Sequence, residues 1–290
     1  MNTNQDIEKK VKETIKRYKL CNKKEKILVA LSGGKDSAVV AYLLKKLGYN
    51  IEGFYINLGI EGIEKDYLET VKELSQRLQI KLHVYDLKKE FGNSIGIIIK
   101  EIQNTKEGKN LKNCAICGVV KKWIMNREAR RLKFNKIATG HNLDDEVQTF
   151  LMNILKGSPQ LNINSGAITK NKKDKKFVER IKPLFYCDEN EIRKYSKKKK
   201  LPIIYKKCPY LVDSYRLEVR EFVNNLKTKD KENIIKNFEL IYPKIKNLNS
   251  KESKTFINYC EKCGEPSRNK ICKMCKLTES IKIQNNLIKK

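Results

Sequence analysis

Residues 26–48 constrain this chain most, because a short apolar run, a glycine turn and a helical pattern follow one another there without a gap. Lys26 to Leu31 reads K-I-L-V-A-L, the near-continuous apolar run of a strand buried in a parallel sheet. Ser32-Gly33-Gly34-Lys35-Asp36-Ser37 follows, and Ser37 to Gly48 then shows helical spacing. A turn this tight between a strand and a helix lets backbone amides approach a phosphate, and the helix N-terminus adds positive potential. A plain glycine turn capped by Asp or Ser is the structural alternative. The spacing is not Gly-x-x-x-x-Gly-Lys-Ser/Thr, and an Asp at the helix entrance suits magnesium held on a pyrophosphate leaving group.

The pattern recurs. Candidate strands lie at Ile51 to Leu58, Ile80 to Leu87 and Lys136 to Gly140, with helical stretches at Tyr67 to Leu78 and Val119 to Leu132. Alternation of this kind predicts an α/β fold with a doubly wound parallel sheet, whose ligands sit at the carboxyl ends of the strands. Those ends are Ser32 to Ser37, Asn57 to Gly59 and Gly140 to Asp145. An amphipathic helix with Ile7, Val11, Ile15 and Tyr18 on one stripe precedes the sheet. Asp188 and Glu191 form a capping box for a helix to about Lys199, and Asp213 starts another bearing Leu217, Val219, Phe222, Val223 and Leu226. Lys170 to Lys176 reads as a solvated loop tip. The expected organisation is an N-terminal helix (1–24), the main domain (25–227), a charged helical connector with Ile234, Ile235, Phe238 and Ile245 (228–255), and a cysteine-rich tail (256–290).

Gly140-His141-Asn142-Leu143-Asp144-Asp145-Glu146 opens a helix whose buried stripe continues through Val147, Leu151, Ile154 and Leu155. Acids in a first helical turn complement the helix dipole, and beside a nucleotide they also suit catalysis. His141 reads as a packed turn residue. Six of the nine cysteines fall into three Cys-x-x-Cys pairs. Cys114-Ala115-Ile116-Cys117 fits a redox dithiol, half a zinc site or part of an iron-sulfur site. Cys208, followed by Pro209, supplies a third thiol, and Cys-Pro is a recurring flank of cluster ligands. Cys260-x-x-Cys263 and Cys272-x-x-Cys275 form two knuckles that present four thiolates to a tetrahedral zinc, with Gly264 permitting the tight turn. The net charge of +29 suits a polyanionic partner, nucleic acid first, although Lys-, Asn- and Ile-rich usage also fits a biased genome. No stretch approaches the roughly 18 to 20 apolar residues of a membrane span and Met1 to Lys10 is polar, so a soluble, cytoplasmic protein with no membrane partner is expected.

The Ser-Gly-Gly-x-Asp-Ser signature resembles that of the PP-loop ATP-pyrophosphatases, which cleave ATP between the alpha and beta phosphates to adenylate a poor electrophile. Gly140 to Asp145 resembles the Gly-His-Asn-x-Asp-Asp stretch of tRNA-thiolating members. With Cys114, Cys117 and Cys208, Arg180-Ile181-Lys182-Pro183-Leu184, Cys208-Pro209-Tyr210, Arg216, Val219, Arg220 and the terminal four-cysteine ribbon, the chain is similar to the TtuA and NcsA group of tRNA 2-thiouridine synthetases over about residues 10 to 280. The resemblance implies a 4Fe-4S cluster on Cys114, Cys117 and Cys208, and zinc on Cys260, Cys263, Cys272 and Cys275. It implies ATP and Mg2+ contacts at Ala30, Ser32, Gly33, Gly34, Lys35, Asp36, Ser37, Ile56, Gly140 and Asp145, with Asp36, Lys121 and Asp145 catalytic. Relatives commonly carry a further zinc segment before the loop; only Cys21 stands there, so no such site is carried over, and Cys21 and Cys187 read as ordinary thiols.

The implied reaction adenylates the 2-oxo group of a tRNA uridine and replaces its oxygen with sulfur. Open alternatives are a thiolase acting on cytidine or through a cysteine persulfide without a cluster, and a non-catalytic zinc-containing RNA-binding protein. The sulfur donor is a small sulfur-carrier thiocarboxylate, a persulfide or free sulfide, and a homodimer is compatible with everything above.

Overall fold

In the computed structural model, which describes residues 3–169, 174, 176–206, 208–211, 214–250 and 258–279, the apolar run of residues 26–31 forms β1 (Lys26–Leu31). Its alternation sorts the molecule into two layers. Ile27, Val29 and Leu31 enter one buried cluster, while Leu28 enters the other on the opposite face, as the two-residue period of a strand requires. On one side β1 pairs with β2 (Asn50–Asn57), and β2 with β3 (Leu82–Asp86). On the other side it pairs with β4 (Lys136–Ala138), and β4 with β6 (Glu179–Ile181), all in parallel. The expected doubly wound sheet therefore forms, in the order β3-β2-β1-β4-β6-β5, with β5 (Ile168–Thr169) as an antiparallel edge that the apolar pattern did not announce. Chain order reverses direction between β1 and β4, and the crevice at their carboxyl ends is the natural ligand site of such a sheet.

One layer of helices consists of α1 (Thr3–Tyr18), α2 (Lys35–Lys46), α3 (Glu64–Arg77), α7 (Leu143–Leu155), α8 (Glu189–Lys198), α9 (Ser214–Asn224) and α10 (Thr228–Ser250), all with side chains in the first cluster. The expected stripe of α1 is present, with Ile7, Val11 and Ile15 buried. The other layer holds α4 (Leu87–Phe91), α5 (Ile95–Gln103), α6 (Asn113–Arg131) and the ribbon, made of β7 (Asn258–Tyr259), β8 (Pro266–Ser267) and α11 (Lys273–Thr278). A 3-10 turn (Pro159–Asn164) follows α7. Among the described residues, no helix is long and apolar enough to cross a membrane.

Several local expectations shift. α6 begins at Asn113 rather than near Val119, so the first cysteine pair sits in its opening turns. Within residues 113–118 only Ile116 is buried, which leaves the helical period there unmarked. β4 ends at Ala138, two residues before Gly140. The Asp188 and Glu191 capping box forms as expected. Asp213 lies outside the described residues, as do 170–173 and 175, and the side chain of Ile245 is likewise not described. Lys170 to Lys176 is not wholly a solvated tip, because Asp174 is buried and accepts from the Tyr259 hydroxyl at 3.0 Å, while Lys176 Nζ donates to Gly264 O at 3.3 Å.

The charged stretch after Lys227 carries one residue whose role no periodicity reveals. Lys231, on α10, is 2% exposed and donates to Asp144 Oδ1 at 2.5 Å and Asp188 Oδ2 at 2.9 Å. It ties α10 to the N-termini of α7 and α8, which flank the crevice.

Candidate active site and metal centres

The turn after β1 is held by its own serines. Ser37 Oγ accepts from Ser32 N at 3.1 Å, donates to Gly34 O at 3.0 Å and lies 3.1 Å from Ser32 Oγ. Gly33 adopts φ +76, and a side chain on it would run into the Tyr67 ring, 2.8 Å from the position of a Cβ. The Gly33 carbonyl accepts from Ile204 N at 2.8 Å, and the Tyr67 hydroxyl donates to Lys206 O at 2.6 Å, so the strap leading to Cys208 is fastened directly to the loop. Lys35 Nζ lies 2.9 Å from Asp36 Oδ2 and 3.1 Å from Glu189 Oε1. Burial pulls the Lys35 pKa down, but those two carboxylates outweigh it and hold the ammonium above its ordinary value. Glu189 also meets Arg220 at 3.0 Å and Arg193 at 3.4 Å.

The Gly140 to Asp145 segment closes on this loop from β4. A Cβ at Gly140 would stand 2.8 Å from Ser37 N and 2.9 Å from Asp36 C, both backbone atoms, so only glycine permits the approach. Asn142 then joins the two acids. Its amide donates to Asp36 Oδ1 at 2.9 Å, its carbonyl accepts from Asp145 N at 3.0 Å, and Asp145 Oδ2 accepts from Asn142 N at 3.3 Å. Desolvation first and the Asp36 charge second raise the Asp145 carboxyl to about 6, against the Asn142 amide and Arg216, whose Nη2 lies 3.9 Å away. His141 is pushed down to about 3 by desolvation and by Lys182, Lys122, Arg216 and Arg180, which makes it a neutral turn residue. Ala30 and Ile56 lie half-buried near the carboxyl ends of β1 and β2, in register with Phe54 and Tyr85. Two close carboxylates, a lysine and a glycine-rich turn at a helix N-terminus can hold a magnesium-bound triphosphate.

Cys114 and Cys117 stand in the opening turns of α6, and Lys121 is exposed one turn beyond Cys117. The strap brings Cys208 to the same end, because Asn113 Nδ2 donates to Tyr210 O at 3.1 Å and Tyr210 packs where Gly96 leaves room. Burial pushes the Cys117 thiol up; Lys121 opposes that, and the Cys208 and Cys114 thiols add to it, so the three sulfurs share one field. Cys114 and Cys208 are exposed, which suits a cluster with one corner open. Among the described residues, only the four ribbon cysteines converge closely enough to share one ion. A cluster of several irons spaces its thiolates more widely than that.

The ribbon sulfurs of Cys260, Cys263, Cys272 and Cys275 all lie within 4.8 Å of one another, and Cys263 and Cys272 are 3.7 Å apart. Tetrahedral zinc with bonds of about 2.3 Å places its sulfurs about 3.8 Å apart, so the donor set fits. Gly264 takes φ +68 in the first knuckle, as its place after the cysteine pair predicted. The ribbon docks on α6, where Asn126 Nδ2 donates to Glu265 Oε2 at 2.8 Å and Arg130 pairs with the same carboxylate. Cys21 is half-buried and Cys187 fully buried, in line with ordinary thiols.

Sequence reasoning gave no role to Asn142, Glu189, Lys231 or Asn126. Only the cluster of acids at Asp188 to Glu191 signalled one of them, and it was explained by the capping box.

The model of the PP-loop domain matches residues 3–226. A tRNA-5-methyluridine(54) 2-sulfurtransferase of Pyrococcus horikoshii is 39% identical over 277 residues, covering 93% of this chain and 84% of that protein. Its counterpart from Thermotoga maritima is 31% identical, covering 98% and 90% respectively. The structure of the U34-tRNA thiolase NcsA from Methanococcus maripaludis with its [4Fe-4S] cluster superposes with a TM-score of 0.77 at 28% identity, over 96% of this chain and 88% of that one. With the loop, the paired acids and both cysteine groups arranged as described, this chain belongs to the PP-loop family and, within it, to the tRNA 2-thiolation sulfurtransferases.

Proposed function

We propose that this protein replaces the 2-oxygen of a tRNA uridine with sulfur, using ATP to activate that oxygen. The observation that carries the proposal is Asn142, which fixes Asp36 and Asp145 side by side where β4 meets the glycine loop. In the first step the uridine oxygen bonds to the alpha phosphorus and pyrophosphate departs with its bonding electrons. In the second, sulfur bonds to the ring carbon and AMP leaves with the original oxygen. Oxide is a very poor leaving group and AMP a good one, which is why ATP is required.

The chain's residues divide this work. Ser32, Gly33, Gly34 and Ser37 hydrogen-bond the phosphates, and Lys35 neutralises their charge with Glu189 orienting it. Asp36 and Asp145 bind the nucleotide's magnesium, and Ala30, Ile56 and Gly140 line the nucleoside. Lys121 assists electrostatically or in proton transfer beside Cys117. Cys114, Cys117 and Cys208 hold a 4Fe-4S cluster, which supplies an iron without a protein thiolate as the place for incoming sulfur. The four ribbon cysteines hold a structural zinc. A carrier thiocarboxylate or free sulfide donates the sulfur already at the sulfide level, while a persulfide donates its outer sulfur as a second thiol supplies two electrons and forms a disulfide with the inner one. The protein works in the cytoplasm, where its cysteines stay reduced, and a homodimer is compatible with this arrangement.

Anaerobically purified protein should contain iron and, with ATP, sulfide and tRNA, form AMP and a 2-thiouridine detected by nucleoside mass spectrometry. Asp36→Ala should slow this on the order of 100- to 1000-fold, the usual loss for one preorganised electrostatic group. Active, iron-free protein would remove the cluster from the mechanism, and AMP formation without any thiolated nucleoside would remove the reaction.

A further inference from the structure

The face of β6 that looks toward α6 carries cations that the reaction described above does not use. Val178 N donates to Asn126 Oδ1 at 3.0 Å, and Asn126 Nδ2 donates to Lys176 O at 2.9 Å, which fixes α6 against the approach to β6. Lys122 precedes Asn126 by one turn on the same helix face, and Arg180 follows Val178 on the same side of the strand. A helical turn advances about 5.4 Å and two strand residues about 6.6 Å, so the pair Lys122 and Arg180 stacks next to the pair Asn126 and Val178. The sheet register agrees, since Arg180 is paired with Ile137, which points into the cluster shared by α6 and the ribbon.

Among the described residues, Arg180 has no carboxylate partner for its charge. Its Nε is buried without a hydrogen bond, its guanidinium carbon sits 5.4 Å over the Phe177 ring, and among the described residues it forms no ion pair. Desolvation alone lowers its pKa. Lys122 is lowered by desolvation and then by four cations, Arg180, Lys182, Lys273 and Lys121. Among the described residues, Lys122 and Lys273 also lack a carboxylate partner, whereas Lys182 is paired with Glu146 at 2.6 Å and Arg216 lies 3.9 Å from Asp145. Like charges gathered here, with the Arg180 Nε itself buried, are best offset by an anion between them.

We propose that Lys122 and Arg180, with Lys273 of the ribbon, clamp a phosphodiester of the tRNA backbone next to the reaction site. This rests on tRNA being the substrate. The pyrophosphate of ATP already has Lys35 and the glycine loop, while these cations run along α6 between the ribbon and Cys117. A polymer of phosphates can follow that line to bring one base to the crevice. Arg180 provides a planar fork of donors and Lys122 a point charge, a pair suited to the two free oxygens of a diester.

The test uses the full chain and a fluorescent tRNA transcript without ATP, with affinity measured across a salt series. Lys122→Ala and Arg180→Gln should each weaken binding on the order of tenfold, and the slope of log affinity against log salt should become shallower by about one. Lys122→Glu, a change at an exposed position that leaves the core intact, should weaken it further. Affinity for a non-hydrolysable ATP analogue should stay unchanged in all three. Parent-like tRNA affinity and slope in the Lys122 variants would overturn the clamp while leaving tRNA as the substrate. A selective loss of ATP affinity would assign these cations to the nucleotide instead. Failure of the unaltered protein to bind tRNA would overturn the functional proposal and the clamp together.

Discussion

Lys231→Met tests whether the buried ion triad holds the crevice together. The substitution keeps the stem's volume and removes the ammonium that faces Asp144 at 2.5 Å and Asp188 at 2.9 Å, in a site where Lys231 is 2% exposed. Two buried carboxylates then face each other without a cation, and breaking a buried pair in this way costs about 3–5 kcal/mol. At about 2–4 °C per kcal/mol for a domain of this class, the melting temperature should fall by about 6–20 °C. Residual backbone donors soften the loss without replacing the cation, since Asp144 keeps Glu189 N at 2.8 Å and Asp188 keeps Asn190 N at 2.8 Å. The pH dependence has a definite sign. Burial opposes charge on both partners, yet Lys231 is held above its ordinary value by Asp144 and Asp188, and Asp188 below its own chiefly by Lys231. The stabilisation is therefore complete at neutral pH. It fades as pH rises through the raised lysine pKa, and again as pH falls through the lowered carboxyl pKa. In the variant the deficit should shrink on acidification, because protonation relieves the facing carboxylates. Thermal and urea unfolding followed from about pH 2 to about pH 11 cover both limbs, since the carboxyl is lowered from an ordinary value near 3.8 and the ammonium raised from one near 10.5. A variant within about 1 kcal/mol of the parent, with an unchanged acid limb, would refute the reasoning.

With Asp145 as the proposed magnesium ligand and its carboxyl raised to about 6, AMP formation should show an acid limb near that pH, since only the ionised form would bind the metal. Arg216→Ala removes a charge that lowers this pKa and should move the limb to higher pH, while more magnesium should move it lower; a limb insensitive to both would exclude Asp145 as its source. Gly140→Ala pushes a methyl to 2.8 Å from Ser37 N and should destabilise by about 1–3 kcal/mol with a larger loss of nucleotide affinity, read by calorimetry with an ATP analogue. Trp123, the sole tryptophan, is buried in the same cluster as the ribbon cysteines, so zinc chelation or Cys263→Ser should shift its emission to longer wavelength. Unmoved emission on complete zinc loss would show that the ribbon holds its place on α6 without the metal.

Features written into contiguous residues could be read directly. β1 spans Lys26–Leu31 as the apolar run indicated, because a strand buried on both faces needs nothing beyond its own composition to be seen. The ribbon was legible for a related reason, since ligand spacing within a knuckle is a local constraint. β6 was not, for Glu179-Arg180-Ile181 has one apolar residue in three and owes its pairing to β4. Glu189 is in the same position. In sequence it is one more acid in a first helical turn, and only the packing of α8 beside α2 carries it to Lys35. Asn142 stood inside a recognised motif, but its bridge to Asp36 depends on Gly140 having no side chain.

The two cysteine groups also set an order of maturation. Cys260 to Cys275 occupy one short stretch, so a nascent ribbon can take up its ion as soon as that stretch emerges. Cys114 and Cys117 are separated from Cys208 by β4, α7, β6 and α8, and the strap bearing Cys208 is seated through the Gly33 carbonyl and Tyr67. No trio of thiols exists until those elements have packed. With these three cysteines as the proposed ligands, cluster assembly would be a late, post-folding event, performed on a finished domain whose nucleotide loop is already in place.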